Sequence, residues 1–191
     1  MACGRVERSS GMDTGFTLFD TPIGPCGIAW GDAGIVGATL PEATAEATRA
    51  RLQRRHGTAR ETTPPPIVLR AIERVQALLR GGTDDLTDIA LDMTGVQAFH
   101  QRVYALARGI APGRTRTYGE LALELGAPHA ARAVGQALGA NPFPIIVPCH
   151  RVLAAGGQSG GFSAPGGTRT KLRLLEIERA LLGGTPGLFD G

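Results

Sequence analysis

The stretch "IIVPCHRV", residues 145–152, places a cysteine beside a histidine at the end of an apolar run. A thiolate is a strong nucleophile, and an adjacent imidazole can take the thiol proton directly or through a water. Most cysteines in apolar runs are inert small hydrophobic residues, so the neighbouring residues must decide between the two interpretations. Pro144 and Pro148 interrupt what would otherwise be a central strand. We therefore expect the chain to turn at Cys149 and to present the thiol.

Two further side chains could complete a site around Cys149 and His150. Asn141 stands just before "PFP", where its amide can hold the backbone of the turn. When "KLRLLEIERALL" is placed at roughly 100° per residue, Glu178 falls near the middle of an apolar stripe. A carboxylate there is costly unless it is paired. Glu178 therefore either forms a buried pair with an arginine or orients His150, which would give a Cys–His–Glu relay.

Two short helices precede this site. In "TYGELALELG", Thr117 and Glu120 form a capping-box pattern and Gly126 supplies the helix stop. "APHAARAVGQALGAN" then restarts, with Pro128 in the first turn of the next helix. Two short helices around a glycine-containing turn indicate either a helix-turn-helix or an ordinary helical hairpin in a core.

One face of the second helix favours the nucleic-acid interpretation. Arg132, Gly135, Gln136 and Gly139 recur at the spacing of a single helix face. Missing side chains let the helix backbone approach a partner closely, and phosphates accept hydrogen bonds from such surfaces. Arg132 would be the side chain that reaches into the partner, although an arginine on a surface helix is often only solvated.

The remaining elements predict an α+β protein. Residues 16–40 have the turn signals of a small antiparallel sheet, and a polar helix follows over 41–57. A second helix begins at Pro66 and should lie on the sheet, and residues 86–93 should form one more strand. We expect an N-terminal α+β domain over residues 1–93 and a mostly helical domain with the helix-turn-helix over 94–191.

Composition narrows the class of protein. The 191 residues are 42% hydrophobic, enough for two small cores, and no run of eighteen apolar residues or secretory signal occurs. We expect a cytoplasmic protein with no membrane contact. Three cysteines, Cys3, Cys26 and Cys149, lack metal-type spacing and should be free thiols. Residues 1–95 carry a net charge of −2 and residues 96–191 a net charge of +5, so the second half is the candidate for binding a polyanion.

The quoted segments, together with "GGFSAPGGTRTKLRLLEIE", resemble the methylated-DNA--protein-cysteine methyltransferases. The resemblance is dense over residues 96–180, and "PCHRV" with "ARAVG" upstream is a specific combination. Residues 1–95 resemble the variable N-terminal domain of that family only loosely. The resemblance implies repair of 6-O-alkylguanine in duplex DNA by single, irreversible transfer of the alkyl group to the protein.

The resemblance also implies a role for each candidate residue of the chemistry. Cys149 matches the alkyl acceptor, His150 and Glu178 match a water-bridged proton relay, and Asn141 matches the asparagine that braces the turn. Tyr118 matches the tyrosine that crowds the rotated phosphate, assists nucleotide flipping and can supply a proton to the leaving guanine.

For the DNA contact, Arg132 matches the residue that fills the stack vacated by the flipped nucleotide. Approach through the minor groove suits a glycine-lined helix, because repair should not depend on sequence. The expected partner is therefore double-stranded DNA containing alkylated guanine, bound through the minor groove by a monomer. The expected DNA-binding set is Arg132, Tyr118, Ala131, Gly135, Gln136 and Arg151.

The substrate pocket and the metal question complete these expectations. The loop "GGFSAPGGTRT" lacks a tyrosine that some members have, which leaves alkyl-size tolerance open. Some members bind zinc in the N-terminal domain, but Cys3 and Cys26 do not reproduce that ligand set and His56 is isolated, so we predict no metal and no cofactor. The expected pocket set is Pro144, Val152, Phe162, Ser163 and Pro165.

Three other classes compete with this interpretation. A catalytically silent alkyl-lesion binding protein of the same fold would lack the acceptor cysteine, whereas Cys149 is present. A helix-turn-helix transcription regulator built on this scaffold would need an extra DNA-binding domain. A thiol hydrolase would need a place for an acyl oxyanion and would release its product, so turnover separates it from an alkyl acceptor.

Overall fold

The computed structural model describes residues 14–157 and 166–180. Its N-terminal half is built on a four-stranded sheet of order β3-β2-β1-β4. The antiparallel pairing predicted for residues 16–40 is confirmed, since the first three strands form a meander. The fourth strand, not predicted, pairs parallel with the first. The strands are β1 Gly15–Phe19, β2 Cys26–Gly31, β3 Gly34–Thr39 and β4 Arg60–Glu61.

Two helices accompany this sheet, α1 Ala45–Arg55 and α2 Pro66–Leu79. Side chains on successive strand residues point to opposite faces, so each face has its own apolar set. Leu52 of α1 packs with Phe16 and Ala29 on one face. The alternate residues of β2 belong to a second cluster that includes the buried residues of α2. The sheet is therefore covered by apolar contacts on both faces.

The strand predicted over residues 86–93 is wrong. In this segment only Leu91 forms a bridge, an isolated parallel one with Ile35. Asp84 and Asp85 accept hydrogen bonds from backbone N–H groups two residues further on, and Leu86 adopts a left-handed φ of 58°. These local side-chain bonds compete with strand pairing, and the segment is irregular as a result.

The C-terminal half is mostly helical. A short parallel pair of strands, β5 Arg116–Thr117 and β6 Val152–Leu153, joins the segment before the helix-turn-helix to the segment after Cys149. The helices are α3 Ala98–Arg108, α4 Tyr118–Glu124, α5 Ala131–Gly139 and α6 Gly167–Ile177, with 3₁₀ turns at Cys149–Arg151 and Ala155–Gly157.

The helix-turn-helix consists of α4 and α5, which pack against each other. Thr117 and Glu120 form the predicted capping box, and Gly126 takes a left-handed φ of 73° after the first helix ends. Pro128 lies in the connecting turn, because α5 begins only at Ala131. The predicted start of this helix was therefore three residues too early.

One apolar cluster runs from β2 through α2 and α3 to α5 and α6, so both halves of the chain contribute to a shared core. The predicted boundary near residue 93 remains a prediction. No helix within the two described ranges has the length and apolar character needed to cross a membrane.

Candidate functional site

The turn of residues 141–151, called the acceptor turn after the role expected of Cys149 from the sequence, is tied together by one side chain. The amide nitrogen of Asn141 donates to the Val147 carbonyl at 2.9 Å, and its oxygen accepts from the Phe143 N–H at 2.9 Å. Ile145 holds a left-handed φ of 75° inside the turn. Such a backbone is costly for a β-branched residue, so Asn141 and the surrounding core must maintain it. The turn ends in a 3₁₀ segment that begins at Cys149.

Glu178 receives two partners at once. His150 Nε2 lies 3.0 Å from Glu178 Oε1, while Arg151 donates to both carboxylate oxygens at 2.8 and 2.9 Å. The carboxylate is only 3% exposed. Both alternatives drawn from the sequence are therefore realised together, the pairing with an arginine and the contact with His150. Because the bidentate arginine fixes the carboxylate, the imidazole has a fixed orientation.

The protonation states in this cluster follow from burial and pairing. Burial alone would raise the pKa of Glu178, but hydrogen bonds with His150 and Arg151 lower it to about 2. Burial lowers the pKa of His150 despite the neighbouring carboxylate, which favours a neutral imidazole. With its Nε2 proton directed to Glu178, the ring presents Nδ1 as an acceptor. That buried Nδ1 has no hydrogen-bond partner among the described residues.

The thiol of Cys149 is protonated at rest. Burial raises its pKa, and the hydrogen bond with Asn141 and the charge of Lys171 oppose that rise. The residue is buried, with 8% of its surface exposed. A thiol of this kind reacts when a base removes its proton, and Nδ1 of the next residue, His150, is the candidate acceptor.

Lys171 is a functional candidate that the sequence analysis missed. It lies fully buried in α6 and donates from Nζ to the Val152 carbonyl at 2.6 Å. Burial lowers the pKa of Lys171 to about 8, opposed by the thiol of Cys149. Lys171 lies seven residues before Glu178, and residues at i and i+7 share one helix face. This spacing could have indicated from the sequence that Lys171 lies on the same buried face as Glu178. The face carries a cation as well as a carboxylate.

Tyr118 connects the helix-turn-helix to this cluster. It occupies the first position of α4 and is half-buried, with the Lys171 Nζ 5.8 Å from its ring centroid. A Cβ at Gly135 would lie 3.8 Å from its ring, so the tyrosine packs beside α5. Burial raises the pKa of Tyr118, and the thiol of Cys149 adds to the rise. The hydroxyl is therefore a proton donor at neutral pH.

The outer face of α5 carries the predicted basic side chain. Arg132, Gln136 and Gly139 are exposed, Ala131 and Gly135 are half-buried, and the opposite face is buried. The hydroxyl of Tyr104 donates to the Ala137 carbonyl at 2.8 Å and ties this helix to α3. Arg132 thus projects from a helix that is anchored from behind.

One predicted DNA contact is wrong. Arg151 is 1% exposed, and its guanidinium is occupied by Glu178 and by the Ile110 carbonyl. Such a side chain cannot reach a phosphate, and in this structure it holds the Glu178 carboxylate in place. Of the predicted pocket set, Pro144 and Val152 are buried. Phe162, Ser163 and Pro165 lie outside the described residues, as does Cys3.

The N-terminal candidates lie apart from this cluster. Cys26 is buried, and burial raises its pKa to about 12, so its thiol is unreactive at neutral pH. His56 is half-buried at the end of α1. Over residues 14–157 and 166–180, no three His, Cys, Asp or Glu side chains are grouped so that they could hold a metal ion.

Comparison with known proteins identifies the relatives of this chain. Residues 98–180 match the family "6-O-methylguanine DNA methyltransferase, DNA binding domain". The methylated-DNA--protein-cysteine methyltransferase of Mycobacterium tuberculosis is 37% identical over 175 residues, which cover 92% of this chain and 98% of the relative. A crystal structure of Mycobacterium tuberculosis OGT in complex with DNA superposes with a TM-score of 0.68 at 36% identity, covering 86% of this chain and 92% of that one. A DNA base-flipping protein of Thermus thermophilus is 45% identical over 115 residues, 60% of this chain and 76% of the relative.

Proposed function

The chain belongs to the methylated-DNA--protein-cysteine methyltransferase family, and from that premise we propose that it repairs 6-O-alkylguanine in duplex DNA by moving the alkyl group onto Cys149. The observation that carries this proposal is the cluster in which His150 contacts Glu178 directly beside Cys149 in a braced turn. An acceptor thiol needs a base and a fixed position, and this cluster offers both.

The proposed transfer is a displacement at the alkyl carbon. The Cys149 proton passes to His150 Nδ1, directly or through a water, and Glu178 stabilises the imidazolium that forms. The thiolate then forms a bond to the alkyl carbon while the bond between that carbon and the guanine 6-oxygen breaks. The leaving guanine takes the electron pair and receives a proton supplied or relayed by the Tyr118 hydroxyl. The proton that His150 took from the thiol replaces the one given to the guanine, so both side chains end neutral. The products are a thioether and unmodified guanine.

The lesion must leave the base stack before the sulfur can reach it. Flipping a nucleotide costs a few kcal/mol, and a side chain that fills the gap offsets part of that cost. Arg132 projects from α5 on an exposed face that also carries Gln136 and Gly139. We assign to Arg132 the filling of the gap, with α5 lying in the minor groove and Tyr118 beside the rotated phosphate. The DNA complex of the Mycobacterium tuberculosis relative supports DNA as the partner.

The proposal extends to the oligomeric state of the protein and to its location in the cell. The acceptor thiol must remain reduced, which suits the cytoplasm. A single set of side chains from one chain forms the cluster around Cys149, which is consistent with action as a monomer. The transfer as written needs no cofactor, since the thiol is the acceptor and is consumed.

A lesion binder without transfer is the second candidate, because one relative is named a DNA base-flipping protein. The presence of Cys149 beside the relay disfavours it. Intact-mass measurement after incubation with duplex carrying one 6-O-methylguanine separates the two. Transfer predicts a gain of one methyl group on the peptide containing Cys149, together with loss of the lesion. A silent binder predicts an unchanged mass with the lesion retained.

The matched control is Cys149→Ser. It should bind the lesion duplex nearly as well as the parent protein, because the proposed phosphate contacts lie on the helices, and it should transfer nothing. Transfer by this variant would contradict the assignment of the acceptor.

A further inference from the structure

The acceptor turn is bonded to the N-terminal sheet at one carbonyl. The backbone N–H of Ala38, in β3, donates to the Pro142 carbonyl at 2.8 Å. Pro142 directly follows Asn141, whose side chain holds the turn at Phe143 and Val147. Strand β3 contains none of the proposed catalytic residues. It is nevertheless hydrogen-bonded to the residue next to Asn141, which braces the turn that carries Cys149.

The neighbouring position on β3 requires a glycine. A Cβ at Gly37 would overlap Nε2 of the His56 ring, and it would lie 2.7 Å from the ring Cε1 and 3.5 Å from the Pro142 carbonyl oxygen. His56 closes α1, where its N–H donates to the Leu52 carbonyl and its own carbonyl accepts from the Ala59 N–H. The backbone that carries the ring is thus bonded on both sides, and the ring fills the space that Gly37 leaves.

We propose that Ala38 forms a positioning contact for the alkyl-acceptor reaction, in which the N-terminal sheet fixes Pro142 and, through it, Asn141 against Cys149, while Gly37 leaves beside this contact the space that the His56 ring occupies. This inference rests on the proposed function of Cys149 as the acceptor. It gives the N-terminal half a specific task in the chemistry, carried by a backbone hydrogen bond and by close packing at a glycine.

The contact can influence reactivity because Asn141 acts on the thiol. Its amide nitrogen holds the Val147 carbonyl, two residues before Cys149, at 2.9 Å. The Asn141 side chain also lowers the pKa of the thiol against the larger effect of burial. Lys171 and the backbone N–H groups of Cys149 and His150 also lower the pKa of the thiol, and none of these groups belongs to the N-terminal half. Displacing β3 from Pro142 would loosen Asn141 and leave these other groups in place. Less thiolate would then form at neutral pH.

The test uses Gly37→Ala, the double variant Gly37→Ala with His56→Ala, and Gly31→Ala as the matched control. Gly31 lies in the same sheet, and a Cβ there would meet its nearest neighbour, a Val36 methyl, at 3.4 Å, an ordinary contact. The rate at which iodoacetamide alkylates Cys149 is measured as a function of pH, by mass spectrometry of the peptide that carries it. Thermal unfolding of each variant is recorded in parallel.

The expected result is that Gly37→Ala reacts about tenfold more slowly at neutral pH and approaches the parent rate at high pH, where the thiolate forms regardless. The double variant should recover the parent profile, because it removes the ring that the new methyl meets. Gly31→Ala should match the parent protein.

Three results would overturn the inference: an unchanged profile for Gly37→Ala, an equal loss of rate at every pH, or no recovery in the double variant. The second would indicate a general loss of structure, which the unfolding curves would also reveal. Iodoacetamide needs no DNA, so failure of the parent protein to accept a methyl group from a lesion duplex would count against the proposed function alone.

Discussion

His150 Nε2 and Glu178 Oε1 lie 3.0 Å apart inside a cluster where Arg151 also binds the carboxylate. The positive charge of Arg151 offsets the charge of Glu178, so the carboxylate orients the imidazole without keeping it protonated at rest. Burial lowers the pKa of His150, which keeps the ring neutral and able to accept a proton. In the proposed mechanism the pair acts as a base that takes up the Cys149 proton as the thiolate forms.

Replacing Glu178 with Gln should slow alkylation of Cys149. The amide keeps the shape of the side chain but cannot stabilise an imidazolium as a carboxylate does, so the apparent pKa of the thiol should rise. We expect a loss of about tenfold in the rate at neutral pH, which is smaller than the loss of a general base itself would cause, because His150 remains. Thiol titration and alkyl-transfer rates measure this directly. An unchanged titration would rule out the relay.

The same carboxylate should make folding stability depend on acid pH. The pKa of Glu178 is about 2 in the folded protein against an ordinary 4.5, so its contribution is present above pH 4.5 and is lost as the pH falls towards 2. The contribution amounts to at most about 3 kcal/mol. Urea unfolding at several pH values should show the gap between the parent and Glu178→Gln narrowing over this range. Glu176→Gln, at an exposed position of α6, should show no such trend.

Removing the Arg132 side chain should affect duplex DNA far more than a free base. If Arg132 fills the gap left by the flipped nucleotide, Arg132→Ala should repair duplex lesions about tenfold more slowly. Without the arginine side chain, no group offsets the free-energy cost of unstacking the nucleotide. Attack on the free modified base should be unchanged. Arg80→Ala removes an exposed arginine from the end of α2 and serves as the control. Equal losses on both substrates would point to damaged folding instead.

Lys171 should contribute to thiol acidity. A cation near the sulfur favours the thiolate, so Lys171→Met should lower the alkylation rate by about tenfold at neutral pH. Because the pKa of Lys171 is about 8, the cation is lost in the parent protein as the pH rises above that value. The difference between parent and variant should therefore diminish at high pH. A constant ratio of rates from pH 6 to pH 10 would contradict an electrostatic role.

The chemistry was predictable where a polar residue stood out against an apolar pattern. Glu178 in an apolar stripe required a buried partner, and the prolines around Cys149 indicated a turn. The same reasoning applied to Lys171 would have found it. Arg151 was wrongly predicted to contact DNA because sequence alone does not show which arginine pairs with a buried carboxylate. Arg151, next to His150 in the sequence, is the partner of Glu178.

Other features depended on contacts between distant residues. The segment 86–93 has the composition of a strand. However, the carboxylates of Asp84 and Asp85, just before it, accept hydrogen bonds from the backbone N–H groups of Leu86 and Thr87, and these local bonds compete with regular pairing. The hydrogen bond from Ala38 to Pro142, beside the packing of Gly37 against the His56 ring, joins the N-terminal sheet to a turn about a hundred residues later. No periodicity or motif marks such a contact, because it arises only when the sheet and the acceptor turn meet.

The most direct test of the account is the stoichiometry of repair. The thioether formed at Cys149 has no acyl or phosphoryl centre for water to attack, so neither His150 nor Glu178 can regenerate the thiol. A fixed amount of active protein titrated with excess 6-O-methylguanine duplex should give a single burst whose amplitude equals the protein present, with the methyl group confined to the peptide bearing Cys149. Repaired DNA exceeding the protein several-fold would contradict this mechanism and would favour a hydrolase.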